Sequence, residues 1–147
     1  DIDNIKLKAA KEIGADYCIN SMEENVEKKV LELTGGKGAD LAFEAVGIAP
    51  TVNAAIASLK KSGTLTLLGN VSPSIDFPLQ KTVVKELKLM ASNAVSTEYE
   101  RSLLLISQGR LSVKDIISKI VSIENGQEIF DRLHEGEKGL GKVVLTL

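Results

Sequence analysis

The sequence is poor in cysteine, histidine and aromatic residues. It has one cysteine, Cys18, one histidine, His134, and no tryptophan among its 147 residues. A lone cysteine excludes a disulfide within the chain, which agrees with a cytoplasmic location. Zinc sites need several ligands at set spacings, so we expect no metal site in this chain. Aromatic residues make up only 3%, which argues against a surface that stacks nucleic-acid bases.

Long apolar runs and an excess of charge are also lacking. No apolar run approaches the roughly 18 residues of a membrane span, and no signal peptide is visible. The net charge of −2 gives no reason to expect capture of nucleic acid or of an anionic membrane. Hydrophobic residues make up 44%, which is enough for the packed core of one average domain or two small ones.

The central stretch of the chain predicts a β-strand, an α-helix and a second β-strand. Asp40–Val46 and Thr64–Leu68 are short and mostly apolar, and each is followed by a glycine, Gly47 or Gly69. Between them, Pro50–Lys61 predicts a helix that starts at a proline and ends before Gly63. Its apolar residues recur at helical spacing: Val52, Ala55, Ile56 and Leu59. Connections this short predict a right-handed βαβ unit with parallel strands.

This unit predicts a binding surface at the ends of its strands. In open α/β sheets, ligands bind outside the carboxyl ends of the strands, which here are the segments 46–49 and 69–73. Glycine at such a position lets a ligand approach the backbone closely. The run Gly35–Gly38 does not predict a phosphate site, because it follows a helix and opens a strand, whereas phosphate loops do the reverse.

The remaining elements are predicted from periodicity and end signals. Asp3 is expected to cap the first helix, and Ser21 with Glu24 is expected to form a capping box for the second. The strand at 86–91 alternates apolar and polar residues, which predicts a place near a sheet edge. Helices are predicted at 4–13, 21–33, 79–85, 97–108 and 124–133, and strands at 17–19, 86–91, 116–121 and 142–147. The pattern of apolar and polar residues changes after the strand at 86–91, which predicts a domain boundary near 93–95.

The order of these pieces resembles the medium-chain, zinc-dependent alcohol dehydrogenases. The matching phrases run in order through the whole chain: Asp1-Ile2-Asp3, Gly14-Ala15-Asp16, Gly38-Ala39-Asp40, Phe43-Glu44-Ala45-Val46-Gly47, Gly63-Thr64, Leu68-Gly69 and Gly141-Lys142-Val143-Val144-Leu145. The segment 85–92 looks more like the polyol and sugar-alcohol-phosphate members. The resemblance implies an α/β fold: a partial Rossmann doubly wound parallel sheet over residues 1–93, without its first strand. A small α+β C-terminal segment of the catalytic domain follows over 94–147. The chain would then begin inside the fold.

The resemblance also implies a cofactor site. Asp1 matches the acid that accepts the ribose hydroxyls and repels a 2′-phosphate, which implies NAD, and Lys6 matches a basic residue beside that ribose. Lys142 matches a residue that reaches the pyrophosphate. The residues that match the nicotinamide side are Ala45, Val46, Gly47, Leu68, Gly69, Asn70, Ala91, Ser92 and Asn93. From the residues alone, a solvated acid, surface lysines and ordinary turns remain the alternatives.

The function implied is that of an NAD-dependent, zinc-containing alcohol or polyol dehydrogenase, with the zinc ligands outside this chain and no catalytic residue within it. We expect an alcohol or polyol as substrate, a homodimer or homotetramer joined through 86–91, and no activity from this chain alone. Two alternatives remain: a zinc-free quinone or enoyl reductase of the same superfamily, and a non-catalytic nucleotide-binding module.

Overall fold

The structure is a computed structural model that describes residues 1–93 and 98–147. The described residues divide into two compact units, one made of 21–93 and the other of 1–20 with 98–147. Within them the elements run in the following order: α1 (Asn4–Glu12), α2 (Val26–Leu33), β1 (Ala39–Glu44), α3 (Ala49–Ser58), β2 (Leu59–Leu67), α4 (Leu79–Val84), β3 (Lys88–Ala91), α5 (Glu98–Ser107), β4 (Ile117–Ser122), α6 (Gly126–His134) and β5 (Lys142–Thr146). In this part of the chain, no helix is long and apolar enough to cross a membrane.

A three-stranded parallel sheet forms the centre of the unit 21–93. Its strand order is β1-β2-β3, and the register is continuous from Thr64 to Leu67, where each β2 residue pairs with β1 on one side and β3 on the other. The predicted parallel pairing of neighbouring strands at 40–46 and 64–69 is therefore confirmed. In the described sheet, β3 is an outer strand, in agreement with the predicted edge position.

Helix α3 supplies half of the core of this unit. Its Val52 and Ile56 pack with Leu59 and Leu65 of β2, and Ile56 and Leu65 have no exposed surface. Val52, Ala55 and Ile56 of the predicted apolar face are thus on the side that the helix buries, whereas Leu59 joins the core from β2. Lys85, just after α4, caps the C-terminal end of α3. Its ammonium group donates to the carbonyl oxygens of Ile56 (3.3 Å), Ala57 (2.6 Å) and Leu59 (2.6 Å).

Three of the predictions for individual elements are wrong. Residues 17–19 form no strand, because a strand needs a ladder partner and the structure pairs none of the described strands with them. The capping box at Ser21 does not start α2: the Asn25 side chain caps it by accepting from the Lys28 N–H at 2.8 Å. Helix α3 ends at Ser58 rather than near Lys61, since Leu59 is already extended and belongs to β2.

The unit made of 1–20 and 98–147 contains a second parallel pair. Strands β4 and β5 run parallel with α6 between them. The Asp3 side chain caps α1 by accepting from the Ile5 N–H (2.8 Å), as predicted, and it also accepts from the Gly139 N–H (3.4 Å). The predicted domains 1–93 and 94–147 place residues 1–20 differently and stay a prediction. The predicted boundary near 93–95 and the helix start at Thr97 fall partly or wholly outside the described residues.

Candidate functional site

The carboxyl ends of β1, β2 and β3 meet at one edge of the sheet. Glu44, Leu67 and Ala91 pair across the three strands, and the Ser92 N–H donates to the Leu67 carbonyl oxygen at 3.0 Å. The structure therefore brings together nine of the twelve predicted site residues, which we call the rim: Ala45, Val46, Gly47, Leu68, Gly69, Asn70, Ala91, Ser92 and Asn93.

Two loops of the rim lie backbone against backbone. We call residues 45–48 the first loop and residues 68–72 the second loop. Gly47 has a φ of +84°, and a Cβ carbon on it would lie 2.6 Å from the Gly69 carbonyl oxygen. A Cβ carbon on Gly69 would in turn overlap the backbone of Gly47 and Val46. Only glycine fits at either position, so the two glycines are required by the contact between the loops.

Backbone hydrogen bonds join the two loops. The Val71 N–H donates to the Val46 carbonyl oxygen at 3.2 Å, and the Ser72 N–H donates to that of Gly47 at 3.0 Å. These bonds continue the β1–β2 pairing beyond the strands, so the loops are held to each other as well as to the sheet.

Glu44, the last residue of β1, holds the start of both loops. Its side chain is buried, with 3% exposed. One carboxylate oxygen accepts from the Val46 and Gly47 N–H groups at 2.9 Å each, and the other accepts from Gly47 at 3.0 Å. Its main-chain carbonyl oxygen accepts from the Leu68 N–H at 2.7 Å and from the Gly69 N–H at 3.0 Å.

The same environment sets the charge of Glu44. Burial raises the pKa of its carboxyl, but the Gly47 N–H, the Thr51 hydroxyl and the Val46 N–H together outweigh burial and hold the pKa below its ordinary value. Glu44 is therefore ionised at neutral pH, and its charge is balanced by N–H dipoles. The sequence signal for this role is an acidic residue that closes an apolar strand three residues before a glycine.

A shallow groove adjoins the two loops. It is lined by the end of the first loop, the start of α3, and the end of the second loop with the segment that follows it: Ile48, Ala49, Pro50, Ser72, Ser74, Ile75 and Asp76. A separate, more apolar depression lies along α2, between Asn25 and Gly36, and contains no predicted site residue. The groove and the rim are therefore the part of this unit that matches the predicted binding surface.

The other three predicted site residues lie in the unit made of 1–20 and 98–147. One carboxylate oxygen of Asp1 accepts from the N–H groups of Ile2 (2.7 Å) and Asp3 (2.9 Å), which fixes the orientation of that carboxylate. Lys6 is exposed on the first turns of α1, and Lys142 is exposed at the start of β5.

The described residues form no cluster of metal ligands. Across 1–93 and 98–147, no three His, Cys, Asp or Glu side chains come together to hold a metal ion. Cys18 is half-buried and donates its S–H to the Leu7 carbonyl oxygen at 3.3 Å, as a small structural side chain does. His134 ends α6, where a cation suits the helix dipole.

The rim has the properties that a nicotinamide ring requires. Val46 and Leu68 are 43% and 47% exposed and offer apolar surface. Sites for such cofactors combine apolar walls with a few fixed polar groups. The exposed apolar surface of Val46 and Leu68 therefore fits the nicotinamide end of NAD.

Comparisons with known proteins agree on one family. Residues 1–108 match the family model described as zinc-binding dehydrogenase. The chain is 31% identical over 146 residues to a sorbitol dehydrogenase from Halalkalibacterium halodurans, with 98% of this chain and 42% of that protein covered. It is 33% identical over 146 residues to D-xylulose reductase A from Aspergillus oryzae, with 96% and 40% covered. The chain thus spans about two fifths of the length of these relatives.

The fold comparison leads to the same family. An alcohol dehydrogenase from Thermus sp. ATN1 superposes with a TM-score of 0.88 at 30% identity, covering 100% of this chain and 42% of that one. The predicted α/β fold class with a parallel Rossmann-type sheet is confirmed, as is the predicted resemblance. From the matched residues and the shared fold, the chain belongs to the zinc-binding dehydrogenase family.

Proposed function

We propose that the full-length protein containing this chain is an NAD-dependent alcohol or polyol dehydrogenase, and that this chain supplies part of its cofactor site. The observation that carries the proposal is the rim: two glycine-containing loops in backbone contact at the carboxyl ends of parallel strands. That is where ligands of open α/β sheets bind. The named activities of the relatives, on sorbitol and on D-xylulose, favour a polyol among the possible alcohols.

Each part of the chain has a role in this proposal. The rim lies against the nicotinamide, and its backbone orients the ring and excludes water from one side of it. Asp1 accepts the ribose hydroxyls of the adenosine half, Lys6 lies beside that ribose, and Lys142 reaches the pyrophosphate. When bound, NAD supplies the carbon that accepts hydride from the alcohol. No residue of this chain is assigned a proton transfer.

Family membership implies that the full-length protein binds zinc through residues outside this chain. Because the described residues form no ligand cluster, we derive no step through the metal from this chain. The homo-oligomeric state, the cytoplasmic location and the division into a nucleotide-binding domain (1–93) and a catalytic-domain segment (94–147) are also predictions.

A titration of the full-length protein with NADH, followed by fluorescence, tests the cofactor proposal. We expect saturable binding of NADH that is tighter than that of NADPH. Oxidation of sorbitol with NAD and reduction of D-xylulose with NADH then test the reaction class, and metal analysis separates a zinc enzyme from a zinc-free reductase. Binding of NADH without turnover of any alcohol, polyol, quinone or enoyl substrate would support the non-catalytic module, and no binding would contradict the cofactor role.

A further inference from the structure

One residue, Glu44, contacts both loops of the rim through separate groups. Its carboxylate accepts from the first loop, at Val46 and Gly47, and its main-chain carbonyl oxygen accepts from the second loop, at Leu68 and Gly69. Four N–H groups, two from each loop, are therefore directed at Glu44. Since each is satisfied within the protein, the loops keep their conformation without a ligand to complete it.

The buried position of the Glu44 carboxylate makes the conformation of the first loop depend on its charge. Glu44 is buried in the sheet edge, and burial of a charge is unfavourable unless hydrogen bonds compensate for it. Hydrogen bonds from N–H groups to a carboxylate are about twice as strong as those between neutral partners. The loop geometry therefore depends on a carboxylate at this position, and a neutral side chain of the same size would hold it less firmly.

We propose that Glu44 is a positioning residue for the cofactor: it locks the first loop against the second before NAD binds. This inference rests on the proposed cofactor role of the rim. It implies that the two loops form one rigid surface, so that a change of the Glu44 side chain acts on cofactor binding through Val46 and Gly47, while the main-chain bonds to Leu68 and Gly69 remain.

The test compares three variants of the full-length protein. Glu44→Gln keeps the size of the side chain but replaces one acceptor oxygen with a donor that would face an N–H group. Glu44→Asp keeps the charge but is one methylene shorter, so it no longer reaches both N–H groups. Asp40→Asn is the matched control, because Asp40 is an exposed acid on the same strand that forms an ion pair with Lys60 at the surface.

We expect Glu44→Gln to raise the Kd for NADH about tenfold, which corresponds to about 1.4 kcal/mol, and to raise the KM for NAD in parallel. The KM for the alcohol should stay within about twofold, and Asp40→Asn should match the wild type, as is usual for surface pairs. A residue with a merely structural role would lower the melting temperature and the folded fraction while leaving the Kd of the folded protein unchanged. Glu44→Asp should fall between the wild type and Glu44→Gln.

The outcomes separate this inference from the proposed function. If the wild type binds NADH and Glu44→Gln binds it equally well, the positioning role is wrong and the cofactor role stands. If the wild type does not bind NADH, both are overturned.

Hydrogen–deuterium exchange of the wild-type protein gives a test that does not depend on a folded variant. The amides of Val46, Gly47, Leu68 and Gly69 should be protected without NADH, and added NADH should slow exchange in the peptides covering both loops at the same midpoint concentration. Fast exchange of either loop in the free protein, or separate midpoints for the two loops, would overturn the inference.

Discussion

A Cβ carbon on Gly47 would lie 2.6 Å from the carbonyl oxygen of Gly69, a distance that real Cβ atoms essentially never show. The contact is between two backbones, so no flexible side chain can move aside to relieve it. Gly47 also has a φ of +84°, a region that L side chains adopt only at a cost. Two independent constraints thus require glycine here, one from the residue's own conformation and one from the neighbouring loop.

The first prediction separates these two constraints. Gly36 has a φ of +82°, close to that of Gly47, but a Cβ carbon on it would meet nothing within 4 Å. Gly36→Ala should therefore lower the free energy of unfolding by about 1–2 kcal/mol, the conformational cost alone. Gly47→Ala should cost at least about 3 kcal/mol, because the overlap forces the backbone to shift. It should also weaken NADH binding, which Gly36→Ala should leave unchanged.

Thermal unfolding of the two full-length variants measures the loss of stability, and titration with NADH measures the change in binding. Equal loss of stability in both would show that the second loop yields to the added methyl group, contrary to the contact described.

The βαβ unit could be predicted from sequence because its signals are local and agree with one another. Val52 and Ile56 recur at helical spacing, and the strands on either side are short apolar runs closed by Gly47 and Gly69. The two loops at 46–49 and 69–73 followed from the same reasoning, since parallel strands bring their carboxyl ends to one edge, whereas the individual rim residues were implied by the resemblance. The spacing of residues was enough for the helix and the strands, because these elements depend on neighbours in the chain.

The features that sequence did not predict depend on distant partners. Residues 17–19 have strand-like composition, yet a ladder partner decides whether a strand forms. Leu59 begins β2 early because it pairs with Ala39, and the register shift that follows is accommodated around Ser62, whose φ is +59°. The carbonyl contacts of Glu44 with the second loop join residues more than twenty positions apart, so no local pattern indicates them.

The second prediction concerns acid stability. The pKa of Glu44 is lowered in the folded protein, so its ionised form stabilises the fold, fully above its unfolded pKa of about 4.3. That contribution is lost as the pH falls through the lower, folded-state pKa. Glu44→Gln should therefore be less stable than the wild type at pH 7, and the difference should shrink below about pH 4. Denaturant unfolding at both pH values is the measurement; a difference that does not change with pH would contradict it.

The third prediction concerns Lys85, whose ammonium group donates to three carbonyl oxygens at the end of α3. Lys85→Met keeps the length of the side chain but removes the donors, and should lower the free energy of unfolding by about 2 kcal/mol. Lys81→Met is the matched control: Lys81 lies one turn earlier on α4 and makes an exposed ion pair with Glu27 at 3.8 Å, so its loss should cost less than about 1 kcal/mol. Equal losses would show that Lys85 does not secure α3.

The fourth prediction concerns assembly through β3. The Ser92 N–H faces β2, so by the alternation of a strand the Leu89 N–H faces outward, where it would pair with a second subunit. Leu89→Pro removes this N–H and should convert the oligomer to smaller species. Leu89→Ala truncates the side chain but keeps the N–H, and should assemble as the wild type does. Sedimentation of the three full-length proteins measures this, and a monomeric wild type would contradict the prediction.

The last prediction concerns the choice between NAD and NADP. The two N–H bonds from Ile2 and Asp3 fix one oxygen of the Asp1 carboxylate, and we propose that the other accepts from a ribose hydroxyl. Asp1→Asn retains an oxygen that can accept those bonds but removes the charge that repels a 2′-phosphate. We therefore expect the KM for NAD to rise roughly tenfold, because bonds to charged groups are the stronger ones, and the preference for NAD over NADP to fall. Asp16→Asn, an exposed acid of the same unit, should change neither. Since the carboxylate is the group proposed to select against the 2′-phosphate, an unchanged ratio of kcat/KM for the two cofactors would remove Asp1 from the cofactor site.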